Sequence, residues 1–155
     1  MQAQTTTKTK ICTFRLGEFL CGIEVEAIQE VLRFQSVTEV PLARGEVTGL
    51  INLRGRIVTA IDLRQRLGLS EERGKVRPMN VVLRRDGGSI SLLVDRIGDV
   101  VDLFEHEIEP APETVEERFR RFVKGVYKLN EELLLVLDPE LSSDPVTDSD
   151  PDENV

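Results

Sequence analysis

The sequence predicts an all-β protein, and three observations point to that fold class. Turn-forming residues recur at short intervals between Gly17-Glu18 and Gly87-Gly88, and valine, isoleucine and leucine dominate the segments between them. Stretches from the first half of the chain are repeated in pattern in the second half. Helical periodicity is confined to a few short segments. Many short strands separated by turns are typical of a β-sandwich or a β-barrel.

The first element is a predicted β-hairpin in the stretch ICTFRLGEFLCGI, which begins at Ile11. A two-residue turn at Gly17-Glu18 joins its strands. Because side chains alternate along a strand, this register places a set of apolar residues on one face. These residues are Cys12, Phe14, Leu16, Phe19, Cys21 and Ile23. The two cysteines are therefore expected to be reduced, buried core residues rather than a disulfide.

This hairpin begins an internal repeat. The segment CTFRLGEFLCGIEVEAIQEVLRF, from Cys12, aligns without gaps with VVLRRDGGSISLLVDRIGDVVDL, from Val81. A second pair follows, in which GLINLRGRIVTAID at 49–62 matches GVYKLNEELLLVLD at 125–138. Two matches in the same order predict two similar β-modules packed together. Because few positions are identical, two unrelated β-meanders are the alternative.

Three segments are expected to contain short helices. Asp62 and Gln65 form a potential capping box for a helix in LRQRL, and the stretch VEAIQ predicts a single turn. In ETVEERFRRFVKG, Thr114 is a potential N-cap for a third helix. Alternatively, RRFVKG leads directly into the strand at Val126.

Length and composition indicate a folded domain outside the membrane. The 155 residues fit one domain, and 40% apolar residues are enough for a core. No apolar run approaches the roughly 18–20 residues that span a membrane, so direct membrane insertion is not expected. The start, MQAQTTTKTK, lacks the apolar segment of a secretion signal. The sequence therefore predicts a cytoplasmic protein.

The net charge of −8 is concentrated near the end of the chain. After Leu137 there are seven carboxylates and no lysine or arginine, so the remainder has a net charge of about −1. A nearly neutral body lacks the basic surface of a nucleic-acid-binding protein. The end of the chain is rich in aspartate, serine and proline, which predicts a disordered tail. An acidic docking tail is the alternative.

Candidate catalytic and metal-binding residues are isolated in the sequence. The single histidine, His106, has a carboxylate on each side but is expected to be an ordinary surface residue. A carboxylate cluster is a further hypothesis, although aspartates at strand ends and caps more often bind backbone groups. Its members are Asp62, Asp95, Asp99 and Asp102. The sequence predicts no enzyme activity, catalytic residue, metal site or cofactor.

A nucleic-acid-binding barrel is the alternative from a different functional class. A local basic patch is expected from four arginines, and small β-barrels can bind single strands. These residues are Arg54, Arg56, Arg64 and Arg66. Such binding uses aromatic stacking, yet the chain has no tryptophan and one tyrosine. A module that binds other proteins is therefore the favoured interpretation.

The stretch GLINLRGRIVTAIDLRQRLG at 49–68 resembles the CheW family, the adaptor proteins of bacterial chemotaxis arrays. The characteristic pattern is G-x-x-N-L-R-G-x-[IV]-x-x-[IV]-D-L-R. Further matches follow in the family's order, with IQEV at 28–31, VDRIGDV at 94–100 and PAPE at 110–113. Each match alone is weak, but together they are specific.

The resemblance implies a fold and a domain organisation. CheW proteins contain two five-stranded, SH3-like barrels packed together with a few short helices, in agreement with the repeat. The CheW-like domain is expected at 11–141. A flexible segment is expected at 1–10 and the disordered acidic tail at 142–155.

The resemblance also implies partners. In CheW adaptors a groove between the barrels accepts the cytoplasmic hairpin tip of a chemoreceptor, and one barrel docks on the regulatory domain of the kinase CheA. The chain is thus expected to couple methyl-accepting chemotaxis proteins to a CheA-type histidine kinase, in arrays at the inner face of the membrane. A paralogous adaptor of another chemosensory pathway, such as one for surface motility, is the alternative.

Site residues follow from positions that match the family pattern. Arg54, the arginine of N-L-R-G, is expected beside Glu30 at the rim of the protein-binding groove. Gly55 is expected to permit a tight turn, Gly49 a close backbone approach, and Arg56 to lie in solvent. The simpler alternative is that Arg54 only joins two strands. The expected protein-binding residues are Ile28, Glu30, Val31, Gly49, Asn52, Arg54 and Gly55.

Overall fold

A computed structural model describes residues 7–39, 47–70 and 77–143. These residues form ten β-strands and three short α-helices. The strands are β1 (Lys8–Leu16), β2 (Phe19–Glu24), β3 (Ile28–Leu32), β4 (Val47–Leu53), β5 (Arg56–Asp62), β6 (Met79–Arg85), β7 (Gly88–Val94), β8 (Arg96–Phe104), β9 (Val123–Leu129) and β10 (Glu132–Leu137). The helices are α1 (Leu63–Arg66), α2 (Glu117–Arg120) and α3 (Pro139–Ser143), and 3₁₀ turns lie at Val25–Ala27 and Glu105–Glu107.

The strands form two five-stranded sheets, which confirms the all-β fold class. Sheet I has the order β8-β1-β2-β10-β9, and sheet II has the order β3-β6-β7-β5-β4. Strand pairs are antiparallel except β2–β10 in sheet I and β5–β7 in sheet II, which are parallel. The hairpins are local, whereas every other pairing joins distant parts of the chain.

Each sheet combines strands from both copies of the repeat. Sheet I takes the β1–β2 hairpin from the first copy and β8, β9 and β10 from the second. Sheet II takes the β6–β7 hairpin from the second copy and β3, β4 and β5 from the first. The expectation of two modules is therefore corrected in one respect, because the two copies have exchanged their first hairpins.

The register of the strands confirms the duplication itself. Phe14 pairs with Cys21 in the β1–β2 hairpin. The residues 69 positions later, Leu83 and Ile90, pair in the β6–β7 hairpin. The two sheets also share one strand order when equivalent strands are compared. This agreement contradicts the alternative of two unrelated β-meanders.

The largest cluster of buried side chains draws on both sheets and includes Phe14 of β1, Leu83 of β6 and Phe119 of α2. Two smaller clusters lie within the individual sheets. The sheets therefore share a core, and each also has apolar packing of its own.

The first hairpin forms as predicted, with one exception. Its turn is at Gly17, where φ is 62°, and both cysteines are buried free thiols, as expected. Phe19, however, is 38% exposed rather than fully buried. Its ring packs edge-to-face on Phe119, with the centroids 5.0 Å apart, at the margin of the core.

Two domain boundaries differ from the expected ones. β1 begins at Lys8, inside the segment 1–10 that is expected to be flexible. Ser142 and Ser143 are buried in α3, although the disordered tail is expected at 142–155. Backbone pairing with β8 and the helix after β10 extend the ordered chain at both ends. Residues 1–6 and 144–155 lie outside the described residues.

The predicted helix signals are borne out in part. Asp62 is the N-cap of α1, and its Oδ1 accepts the N–H of Arg64 at 3.0 Å. The single turn predicted in VEAIQ is present as a 3₁₀ turn. The N-cap of α2 is Glu116 rather than Thr114, and β9 then begins at Val123, so a helix and a strand both form in this stretch.

Candidate protein-binding site

The β4–β5 turn contains the arginine-glycine pair of the family pattern. Arg54 and Gly55 have φ angles of 53° and 85°, as the two central residues of a type I′ turn require. Gly55 adopts this conformation without steric cost, and its N–H donates to Asn52 Oδ1 at 2.9 Å. The predicted tight turn is confirmed. Nothing in the residue type predicts the left-handed conformation of Arg54, which arginine rarely adopts.

Arg54 and Glu30 form a bidentate ion pair. Arg54 Nη1 donates to Glu30 Oε2 at 3.0 Å, and Nη2 donates to Oε1. The Glu30 side chain is 21% exposed and the Arg54 side chain 63% exposed, so solvent screens the pair from one side. The predicted proximity of these residues is confirmed. Exposed pairs contribute under about 1 kcal/mol, whereas bidentate geometry mainly fixes orientation.

The ion pair joins the two edge strands of sheet II. Glu30 lies on β3, and Arg54 follows β4, at opposite ends of the strand order. Alongside it, Thr38 and Leu50 exchange two backbone hydrogen bonds of 2.8 Å. Arg54 therefore does join strands, as the simpler alternative requires. The same guanidinium remains largely in solvent, where a partner can contact it.

Gly49 lies where two backbone segments approach closely. A Cβ atom at this position would be 2.2 Å from the carbonyl oxygen of Thr38. No side chain fits there, so the expected close approach is confirmed. Gly125, its counterpart in the repeat, is in a similar position, since a Cβ there would be 2.8 Å from the carbonyl oxygen of Glu109.

Three apolar residues are close in the sequence to Glu30 or to Arg54. Val31 follows Glu30 and is 43% exposed, while Ile28 is half-buried against the shared core. Ile57, opposite Asn52 in the β4–β5 hairpin, is 66% exposed. Ile57 is not among the expected site residues. The signal that could have found it is an aliphatic residue paired with a polar one next to a tight turn.

The four arginines of the Gly49–Gly68 stretch do not form the expected basic patch. Arg64 is 8% exposed, and its Nε donates to Asp95 Oδ1 at 2.8 Å. Arg66 is 1% exposed and donates to the carbonyl oxygen of Leu141 at 2.9 Å. Arg54 and Arg56 are exposed, and Arg56 lies in solvent as predicted. The alternative of nucleic-acid binding loses its main support.

The hypothesis of a carboxylate cluster is wrong, because three of its four aspartates bind different groups. Asp62 caps α1, and Asp95 forms a bidentate pair with Arg64. Asp102 accepts from Lys10 Nζ at 3.0 Å in an exposed pair. Within the described part of the chain, no group of three or more His, Cys, Asp or Glu residues is placed to hold a metal ion.

The remaining reactive side chains are unremarkable in their surroundings. His106 has a 60% exposed side chain, and its Nε2 is 3.9 Å from the Glu107 carboxylate. It is a surface residue as predicted, although it lies in a 3₁₀ turn and not in an extended segment. Burial raises the pKa of the Cys12 and Cys21 thiols, which favours their neutral form. None of the described helices is long and apolar enough to cross a membrane.

Comparison with known proteins agrees with this geometry. The family model described as a CheW-like domain matches residues 10–144. The chain belongs to the CheW family. Chemotaxis protein CheW of Thermotoga maritima is 29% identical over 136 residues, which cover 88% of each chain. Chemotaxis protein CheW of Bacillus subtilis is 30% identical over 138 residues, covering 89% of this chain and 88% of the relative.

A solved structure supports the same family. The crystal structure of the scaffolding protein TtCheW from Thermoanaerobacter tengcongensis matches with a TM-score of 0.76 and 29% sequence identity. The match covers 89% of each chain. The resemblance to CheW proteins that the sequence motifs indicate is therefore confirmed in sequence and in fold.

Proposed function

We propose that this protein is a chemotaxis adaptor that couples chemoreceptors to a CheA-type histidine kinase, in cytoplasmic arrays at the inner face of the membrane. Membership of the CheW family across residues 10–144 is the observation that carries the proposal. It is supported by relatives that are chemotaxis proteins and by the similar crystal structure of a scaffolding protein. The proposal assigns no catalytic step to the chain.

We infer that each sheet closes on itself as an SH3-like barrel. In sheet II the edge strands are linked by the Arg54–Glu30 pair and by a backbone bridge. In sheet I, Glu109, which follows β8, forms a bridge with Val126 of β9. The β4–β5 turn is proposed to lie at the rim of the groove between the two barrels.

The proposed receptor-binding surface is centred on Glu30 and Arg54, with Ile28 and Val31 on the same strand as the glutamate. A charge pair orients an incoming partner, while exposed apolar side chains supply area to bury. This surface is also proposed to include Gly49, Asn52 and Gly55, which shape the backbone of the β4–β5 hairpin that carries Arg54. The hairpin tip of a receptor is proposed to bind in the groove. The regulatory domain of CheA is proposed to dock on one barrel.

Arg54→Ala and Glu30→Ala test this surface. Each variant is expected to weaken binding of a receptor cytoplasmic fragment roughly tenfold, or about 1.4 kcal/mol, because a partly buried charge pair at an interface is lost. Binding to the CheA regulatory domain is expected to change less. Isothermal titration measures both affinities, and circular dichroism checks that both variants stay folded.

Lys10→Ala is the matched control, because Lys10 forms an exposed pair with Asp102 on sheet I. It is expected to bind receptor like the wild type. Wild-type receptor affinity of Arg54→Ala would contradict the proposed surface. Failure of the wild-type protein to bind either a receptor fragment or the kinase domain, together with retention of a single-stranded oligonucleotide, would overturn the proposed function.

A further inference from the structure

The strand that carries Glu30 contains a β-bulge directly before it. Ile28 pairs with Leu83 of β6, but Glu30 pairs with Val82, the immediate neighbour of Leu83, so two steps along β3 match one step along β6. Gln29 is therefore an extra residue in β3. Bulges of this kind redirect the side chains beside them. The direction of the Glu30 carboxylate thus depends on how this bulge is held.

Two residues of the β6–β7 hairpin hold the bulge. Arg84 Nη1 donates to the carbonyl oxygens of Glu26 and Ile28, at 3.0 and 2.8 Å. Ser89 pairs with Arg84 across the hairpin, and its hydroxyl donates to Gln29 Oε1 at 2.7 Å. The backbone before the bulge and the side chain of the extra residue are both bound to one hairpin.

The repeat provides an internal comparison in sheet I. A shift of 69 positions places Arg15 at the position of Arg84 and Gly98 at that of Gln29. There Arg15 forms a bidentate pair with the Glu132 side chain instead of binding carbonyl groups. Gly98 has no side chain to bind, and a Cβ there would be 2.7 Å from a hydroxyl oxygen.

The residue at the turn after the fourth strand of each copy also differs between the sheets. Asn130 stands where Arg54 stands in the other copy, and both residues have positive φ. In sheet I a cavity of about 660 Å³ lies against Gly98 and Asn130. In sheet II the equivalent positions are held by Gln29, bound to the hairpin, and by the Arg54–Glu30 pair. One backbone pattern therefore supports two different arrangements of side chains.

We propose that Arg84 and Ser89 are positioning residues, which fix the bulge in β3 so that Glu30 meets Arg54 in bidentate geometry. A hydrogen bond weakens steeply when its angle falls below about 120°, so a shift of the bulge that turns the Glu30 carboxylate breaks one of the two contacts. The bidentate geometry of the Arg54–Glu30 pair is a property of the free protein. The consequence for receptor binding rests on the proposed function.

Arg84→Met tests the proposal, alone and combined with Arg54→Ala. ¹⁵N NMR of the arginine guanidinium groups in the free protein is expected to show faster rotation of the Arg54 group when Arg84 is replaced. Receptor binding is expected to weaken roughly threefold or more in the wild-type background and not further in the Arg54→Ala background, because the two changes act on one contact. Arg15→Met, at the equivalent position of sheet I, is expected to change neither measurement.

The outcomes separate this inference from the proposed function. Equal losses of affinity in both backgrounds, or an unchanged Arg54 guanidinium signal, would overturn the positioning role. If Arg54→Ala itself leaves receptor binding intact, the receptor surface is wrong, while the guanidinium signal still decides whether Arg84 positions the pair. Ser89→Ala replaces Arg84→Met if that variant fails to fold, and the same readouts apply.

Discussion

Gly49 and Gly55 belong to the same hairpin for different physical reasons. A Cβ on Gly49 would be 2.2 Å from the Thr38 carbonyl oxygen, whereas one on Gly55 would meet no atom within 4 Å. Gly49→Ala is therefore expected to separate backbone segments and to reduce the free energy of unfolding by about 2–3 kcal/mol. Gly55→Ala is the control, expected to lose about 1 kcal/mol through its φ alone. Urea unfolding measures both values, and equal losses would contradict the steric explanation.

The surface location of His106 leads to a neutral prediction. Its exposed side chain touches a carboxylate only at 3.9 Å, and it lies in a short turn away from β3 and β4 in the chain. His106→Ala is expected to change the free energy of unfolding by less than about 0.5 kcal/mol and to leave kinase coupling intact. A reconstituted receptor–kinase assay measures coupling. Loss of coupling in a stably folded variant would show that this histidine has a functional role.

Arginine shows what residue type can and cannot predict. The pairing of Arg54 with Glu30 could be expected from the family pattern, because both positions belong to short motifs. The burial of Arg66 could not, since it depends on the Leu141 carbonyl, 75 positions away, and on the Phe122 ring beneath its guanidinium. A charged residue in a polar stretch predicts exposure unless such distant partners are known.

The helix α3 links the end of sheet I to two arginines. Asp138 caps it by accepting the N–H of Glu140 at 2.9 Å, and Arg66 and Arg85 donate to its carbonyl groups. Truncation after Asp138 is therefore expected to destabilise the protein by about 2–3 kcal/mol, because a buried guanidinium loses a hydrogen-bond partner. Truncation after Asp144 is the control, expected to leave the melting temperature nearly unchanged. Calorimetry measures both, and a similar drop for the two would show that the tail itself stabilises the fold.

Local elements were largely within reach of sequence patterns, and their exceptions have clear causes. Turn residues and alternation predict the β1–β2 hairpin, and the potential capping box of Asp62 and Gln65 predicts α1. Pattern favours Thr114 over a glutamate as N-cap, yet α2 begins after Glu116, whose side chain accepts the N–H of Arg118. The residues of α3, Pro139–Ser143, have the composition of a loop, and their helix depends on tertiary contacts.

Strand order is a property of the whole molecule that the repeat could not reveal. In sheet I the parallel pairing places Gly22 beside Val136, and in sheet II it places Ser91 beside Ala60. Each hairpin thus pairs with the closing strand of the other copy. Because both copies have the same pattern, either partner satisfies the hydrophobic periodicity. The exchange also means that neither half of the chain completes a sheet by itself.

Asp95 ties the two sheets together. Its carboxylate accepts the N–H of Gly17 in the first hairpin at 2.7 Å and forms a bidentate pair with Arg64, which follows β5 of sheet II. The side chains of the pair are only 10% and 13% exposed. Asp95→Ala is expected to reduce the free energy of unfolding by about 3 kcal/mol, because it leaves a mostly buried guanidinium without this carboxylate.

Asp102→Ala is the control for Asp95→Ala, since the exposed pair of Asp102 with Lys10 contributes under about 1 kcal/mol. Urea denaturation followed by amide signals from each sheet measures both variants. The loss in Asp95→Ala is expected to appear equally in both sheets, because they share a core and each takes strands from both copies of the repeat. Replacing Arg64 and Asp95 together by Met and Leu is expected to recover part of the loss, since no charge is then buried alone. A loss confined to one sheet, or no larger than that of the control, would show that this ion pair does not join them.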